Sequence, residues 1–126
     1  MIWDDYVVLG EGLARHPFEA SKRSAVSRAY YGAFNRCRRW LETNVTPIDN
    51  RSAHQQVWET FKIADRASEN TRSRWSQVGL LGGSLRSLRN QVDYDDSVPG
   101  LERHAPEAVI TAERILALLD ELEVAG

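Results

Sequence analysis

SAVSRAYYGAFNRCRRWLE, Ser24 to Glu42, is the stretch whose reading decides the fold. Ala25, Val26, Ala29, Tyr30, Ala33, Phe34, Cys37, Trp40 and Leu41 recur at steps of three and four. Residues so spaced share one face of an α-helix, and here the stripe runs with very few misses. The spacing predicts a long helix over about residues 18–43, broken by "TNVTPIDNRS" with its Pro47, Asn44, Asp49 and Asn50. Working outward, Trp3, Tyr6, Val7, Leu9 or Gly10, and Leu13 keep a helical period until Pro17 stops them. A third helix over about 51–65 presents Val57, Phe61 and Ala64, and Ser68 to Ser73 is polar and turn-like. A fourth runs from Arg72 to about Val92 on Trp75, Val78, Leu81, Leu85 and Leu88. The segment from Asp93 to Pro106 reads as a loop. The last helix, about 106–123, buries Val109, Ala112, Ile115, Leu116, Leu119 and Leu122. Nothing alternates with period two over a useful length. The expectation is an all-α fold, one domain over 1–126. Its architecture is an antiparallel four-helix bundle with one additional short helix.

Gly79, Gly82 and Gly83 lie inside the fourth helix, at a cost of roughly 1 kcal/mol each relative to alanine. At i, i+3 and i+4 they clear one face of side chains, which predicts close approach by another helix, from this chain or a second copy. A phosphate-binding glycine loop lacks its preceding strand and its following Lys-Ser/Thr.

With 126 residues, 42% hydrophobic and 27% charged, the composition is that of an ordinary globular domain. A formal charge of −2 argues against coating nucleic acid by bulk charge. The distribution is uneven. Ser21 to Leu41 holds six basic residues (Lys22, Arg23, Arg28, Arg36, Arg38, Arg39) and no acid, while Glu107 to Gly126 holds five acids and one arginine. Either the two helices pair internally, or the basic face is free for phosphates. Cys37, the one cysteine, excludes an internal disulfide and sits on the apolar stripe as a small core residue. "MIWDDYVVLG" has acids where a signal peptide needs a basic start, and no run approaches the roughly 20 apolar residues of a membrane span. The expected location is cytoplasmic, with no membrane partner.

The candidate chemistry lies in "LRSLRNQVDYDD", Leu85 to Asp96. Arg86, Arg89, Asn90 and Asp93 form a polar line at i, i+3, i+4 and i+7, followed by Tyr94. Arg86 and Arg89 are forked donors suited to a phosphodiester and charged at any physiological pH. Asn90 could orient a ribose hydroxyl or a phosphate oxygen, and Asp93 could hold an arginine in place. The alternative is the solvated face of an amphipathic helix, with one arginine paired to Asp93. Arg28 and Tyr31 fall on or beside the basic face of the second helix, where they could meet Asp93 or Tyr94. His16, His54 and His104 are far apart and no H-x3-H or C-x2-C spacing occurs, so no metal or other cofactor is expected.

Three stretches, "SAVSRAYYGAFNRCRRWLE" (24–42), "RSAHQQVWETF" (51–61) and "LRSLRNQVDYDD" (85–96), together resemble the HEPN superfamily, most of all its small stand-alone bacterial members. The signatures of that subgroup are similar to S-R-A-Y-Y-A-A-F-H, T-H-x-x-V and L-R-x-x-R-x-x-A-D-Y-D, in the same order. The resemblance implies an all-α HEPN-like bundle that pairs into a homodimer, with the arginine helix of each copy against its mate. It implies metal-independent RNA cleavage in a toxin–antitoxin or defence setting, often beside a nucleotidyltransferase antitoxin. The motif R-polar-x3-H places its arginine on Arg89 and its polar residue on Asn90. Where the motif has histidine, this chain has Tyr94. A tyrosine, with an ordinary pKa of about 10, is a poor base at neutral pH. The resemblance also matches His54 to a family histidine, for which packing or helix initiation is the expected role.

Two functional expectations result. In the first, Arg89 binds the scissile phosphate of RNA, Asn90 positions the substrate, Arg86 adds charge, and Asp93 or Tyr94 stands in for the histidine. In the second, the chain is a non-catalytic helical module binding a nucleotide or a nucleotidyltransferase partner, with Tyr94 as a possible nucleotide acceptor.

Overall fold

The stripe read from Ser24 to Glu42 is buried along its length. In the computed structural model, which describes residues 2–125, it forms the inner face of α2 (Glu19–Asn44). Ala25, Val26, Ala29, Tyr30, Ala33, Cys37 and Leu41 are fully enclosed, Phe34 nearly so, and Trp40 half-buried. Each large side chain of this kind contributes about 1.5–3 kcal/mol on leaving water. At 26 residues, α2 spans about 39 Å and serves as the spine of the molecule. It ends where the Val45 and Thr46 N–H groups both donate to the Leu41 carbonyl, just ahead of Pro47.

Four further helices pack on this spine: α1 (Asp4–Ala14), α3 (Ala53–Ile63), α4 (Arg72–Tyr94) and α5 (Leu101–Ala125). A 3₁₀ turn (Asn50–Ser52), opened by the Asp49 carboxylate accepting from the Arg51 N–H, leads into α3. No strand occurs among the described residues, and none of their helices is long and apolar enough to cross a membrane. The fold is all-helical. The bundle is not antiparallel throughout, contrary to the expectation from sequence: α1 and α4 run antiparallel to α2, whereas α3 and α5 run parallel to it. Tyr30, Phe34 and Trp40 meet His54, Trp58 and Phe61 in the same chain order, and Arg36 reaches Asp120 and Glu123 while Lys22 lies beside Leu101. Trp3, just before α1, and Val7 within it meet Gly32 of α2, whereas Gly10 meets Ala25 and Ala29. Likewise Lys62 of α3 meets Gly79 of α4, and Trp58 meets Gly82. One cluster of buried side chains, from Val7 to Leu122, is shared by all five helices.

Three further features depart from the expectation. Three helices are long and two, α1 and α3, have 11 residues each, in place of four long helices and one short. Second, α5 begins at Leu101, not at Pro106, and Pro106 sits within it. Leu101 and Ala105 continue the apolar face of Ala108, Val109 and Ala112, and their burial outweighs the one hydrogen bond that the proline forfeits. Third, of the three glycines in α4 only Gly79 and Gly82 meet α3. A Cβ on Gly79 would fall 2.3 Å from the Lys62 nitrogen, and one on Gly82 would fall 2.1 Å from the Trp58 ring. Gly83 faces open space.

The basic residues of α2 are largely used internally. Arg36 bridges Asp4 of α1 at 3.0 Å and Glu123 of α5 at 3.1 Å, and also reaches Asp120. Burial alone would lower its pKa, but the Asp120 and Glu123 hydrogen bonds outweigh that and raise it. Lys22 donates to the Ala14 carbonyl, and Arg38 engages Asn50 and Glu42. Internal pairing of the basic and acidic helices is thus what the fold uses at Arg36. Arg28 and Arg39 remain exposed.

Candidate functional site: an arginine edge on α4

The last three turns of α4 carry the candidate residues, and α2 positions them. Arg23 of α2 donates to three main-chain oxygens at the end of α4: Val92 at 2.8 Å, Asp95 at 2.7 Å and Asp96 at 2.9 Å. A guanidinium there satisfies carbonyls that a helix C-terminus leaves open and complements its negative end. It also extends α4 to Tyr94, two residues past the expected stop, so that Asp93 and Tyr94 are helical.

The polar line divides in two. Successive residues turn by about 100°, so a band at i, i+3, i+4 and i+7 is wide enough for its edges to face different neighbours. Arg89 and Asp93 turn toward α2. Arg86 and Asn90 turn toward α3, where they line a groove of about 510 Å³ with Lys62, Gly83 and Ser87. Arg89 does not lie on a solvated face, since its side chain is only 9% exposed, but the pairing with Asp93 that the solvated-face alternative included is present. Its guanidinium lies over the rings of Tyr30 (5.0 Å) and Tyr31 (5.3 Å), and its nearest carboxylate is Asp93 at 3.5 Å. Asp93 is held from its other side by the Ser27 hydroxyl, which donates to it at 2.6 Å.

The buried charge is under-coordinated. Nε of Arg89 and Nε of Arg86 are both out of solvent and have no hydrogen-bond partner. A buried donor without an acceptor costs about 1–3 kcal/mol. Two such donors, both on cations, lie three residues apart on one helix. Rings facing a cation return part of the cost, on the order of 1 kcal/mol.

Beneath the arginines is a closed aromatic network. The Trp58 indole N–H donates to the Tyr30 hydroxyl at 3.0 Å, and that hydroxyl lies 2.6 Å from Nδ1 of His54. That contact occupies Nδ1 of His54, with the direction of its proton set by the tautomer. Phe34 stacks on the imidazole at 4.0 Å. Burial, then the charges of Arg89, Arg86 and Arg38, push the His54 pKa down to about 4. Burial also raises Tyr30, against the pull of the Trp58 hydrogen bond and the arginines. His54 is a packed, uncharged ring in the first turn of α3, the role expected of it.

Of the seven residues singled out by sequence, Arg89, Asp93 and Tyr31 meet against α2, and Arg86 and Asn90 line the groove toward α3. Arg28 joins neither group. It is exposed and lies over the Tyr6 ring of α1 at 5.9 Å, and among the described residues no ion pair or hydrogen bond joins it to Asp93 or Tyr94. It sits one residue around the helix from Ser27, which takes the place facing Asp93. Tyr94 projects outward, 77% exposed. Sequence reading missed Ser27 and Arg23. Ser27 precedes Tyr30 and Tyr31 by three and four residues, so the same helical spacing would have found it. Arg23 was counted only as part of a basic face. Among the described residues no three His, Cys, Asp or Glu side chains gather as a metal site. Cys37 is enclosed, and burial raises its thiol pKa.

The chain matches no protein-family model, no curated protein and no solved structure.

Proposed function

We propose that the chain is a HEPN-type, toxin-like protein that binds RNA at the arginine edge of α4, works as a homodimer and cleaves RNA weakly at most. In this reading the five helices are a HEPN-like bundle, α2 to α5, with α1 added at its side. One observation carries the proposal: Arg89 is nine-tenths buried and, with Arg86, keeps a Nε–H that no atom of the protein accepts. A phosphodiester oxygen is the acceptor such a forked, permanently charged donor fits best. Tyr30 and Tyr31 pack against the guanidinium, and Ser27 holds Asp93, whose other oxygen pairs with Nη1 of Arg89 and not with Nε.

The same geometry supports binding over catalysis. Transesterification needs a group to take the 2′-hydroxyl proton and one to protonate the leaving oxygen. His54 is neutral, with a pKa of about 4 and its Nδ1 occupied by Tyr30. Asp93 is committed to Ser27 and Arg89, and Tyr94 faces water. Losing a proton-transfer group costs about 10²–10⁴-fold in rate. The test is RNA binding and cleavage without added metal, by wild type and Arg89→Met. Binding that Arg89→Met abolishes supports the proposal, and equal behaviour of the two proteins refutes it. Sedimentation giving a monomer at micromolar concentration removes the homodimer from it.

A second reading draws on Tyr94. A phenol 77% exposed at a helix end is open to a modifying enzyme. It favours a non-catalytic module whose partner is a nucleotidyltransferase, detectable as a nucleotide mass added at Tyr94 on incubation with such an enzyme and ATP.

A further inference from the structure

Gly83 has no structural reason to be glycine. It lies in the middle of α4, where glycine is the poorest helix former after proline, and its φ is an ordinary helical one. Unlike Gly79 and Gly82, it has no backbone or side chain within 4 Å of the place a Cβ would occupy. What it borders is the groove of about 510 Å³ between α3 and α4. That groove begins beside the arginine edge, since Arg86 and Asn90 line one end of it, and it extends to Lys62, whose backbone packs on Gly79. From the level of Gly79 to that of Arg86 is seven residues, a rise of about 10 Å along α4. The lining is mixed, with Trp58 and the exposed Leu80 beside Gln55, Ser84 and Asn90, and its two cations outnumber its one carboxylate, Glu59. Arg86, whose enclosed Nε has no acceptor, is one of the residues of this wall.

We infer that the α3–α4 groove is the track along which a single RNA strand leaves the arginine edge, its sugar–phosphate passing over Gly83 and a second phosphate meeting Lys62. The inference rests on the RNA-binding reading above and extends it from one phosphate to a path. A groove that takes a backbone needs a floor without side chains, and Gly83 supplies it. The amides of Gln55 and Asn90 and the Ser84 hydroxyl suit ribose hydroxyls, and Trp58 and Leu80 offer apolar surface to a base. Lys62 provides a point charge with rotatable donors, adequate for a phosphate whose orientation is already set at Arg86 and Arg89.

Fluorescence anisotropy with a nucleoside monophosphate and a five-nucleotide RNA tests it, on wild type, Gly83→Leu, Lys62→Gln and Arg89→Met. Gly83→Leu keeps its fold, because the space is empty, and circular dichroism checks this. The expected result is that wild type prefers the longer ligand by about tenfold or more, one good contact's worth. Gly83→Leu then binds both ligands alike, at the monophosphate level. Lys62→Gln lowers the slope of log affinity against log salt by about 0.7 for the longer ligand only. Arg89→Met loses both ligands. If Gly83→Leu and Lys62→Gln bind the longer RNA as wild type does while Arg89→Met does not, the track is wrong and the arginine site stands. Should wild type bind neither ligand, both ideas fall. A change in sedimentation of Gly83→Leu with unchanged RNA affinity would assign the groove to a protein contact and overturn the track.

Discussion

Replacing Arg89 by methionine separates a functional arginine from a structural one, because the two roles predict different effects on stability and on RNA binding. The substitution removes a charge that is nine-tenths buried and a Nε–H with no acceptor, relieving about 1–3 kcal/mol. It also removes the repulsion from Arg86 one turn away. Against this stand the faces of Tyr30 and Tyr31, together worth on the order of 1–2 kcal/mol, and the 3.5 Å pair with Asp93. Asp93 is about a third exposed, so that pair contributes at most about 1 kcal/mol, and the carboxylate keeps the Ser27 hydroxyl after the change. Methionine fills a similar volume and is flexible enough to follow the tyrosine rings. The terms leave Arg89→Met within about 1 kcal/mol of wild type, on either side, with RNA binding lost. Urea unfolding followed by circular dichroism measures the first quantity and a gel-shift titration the second. Destabilisation beyond about 2 kcal/mol with RNA binding retained would place Arg89 among the residues that hold the fold and refute the reasoning.

Adjacent glycines of α4 are expected to respond with opposite signs. Gly82→Ala drives a methyl into the Trp58 ring and loses about 1–3 kcal/mol, whereas Gly83→Ala gains up to about 1 kcal/mol from helix propensity, both read by thermal unfolding. His54 makes stability depend on pH. Its folded pKa of about 4 lies below the ordinary 6.5, so the unfolded chain takes up the proton first. Stability is full above pH 6.5 and falls as pH drops toward 4. The shift sets a ceiling of about 3 kcal/mol, which solvent around the half-open ring reduces to about 1–2 kcal/mol. His54→Phe should flatten that slope relative to wild type; equal slopes would contradict the neutral assignment. The Cys37 thiol, enclosed and raised in pKa, should react with a thiol reagent only at the rate of unfolding, and rapid reaction of the native protein would contradict its burial.

The helical stripes were readable because burial follows period in a chain whose apolar residues are this regular. Ala25 to Leu41 and Val109 to Leu122 are enclosed as their spacing requires. The start of α5 was not readable, since Pro106 and Gly100 look like a loop until the burial of Leu101 and Ala105 is known. The arginine edge was half visible. Spacing placed Arg86, Arg89, Asn90 and Asp93 on one band, but it could not tell that α2 would cover Arg89 and leave Arg86 to the groove. Helix rotation against two neighbours decides this, and it is a tertiary property. Arg23 shows the same limit. Its partners are main-chain oxygens about 70 residues away, and backbone carbonyls carry no sequence signal.

The arginine side-chain Nε–H resonances, followed by nitrogen-edited NMR while a five-nucleotide RNA is added, report on the claim most directly. If the edge receives a phosphate, the signals of Arg86 and Arg89 move together and saturate with the binding curve, while that of Arg36, already tied to three carboxylates, stays in place. Binding of the RNA with Arg86 and Arg89 unmoved would mean that the unpaired donors await something other than a nucleic-acid phosphate.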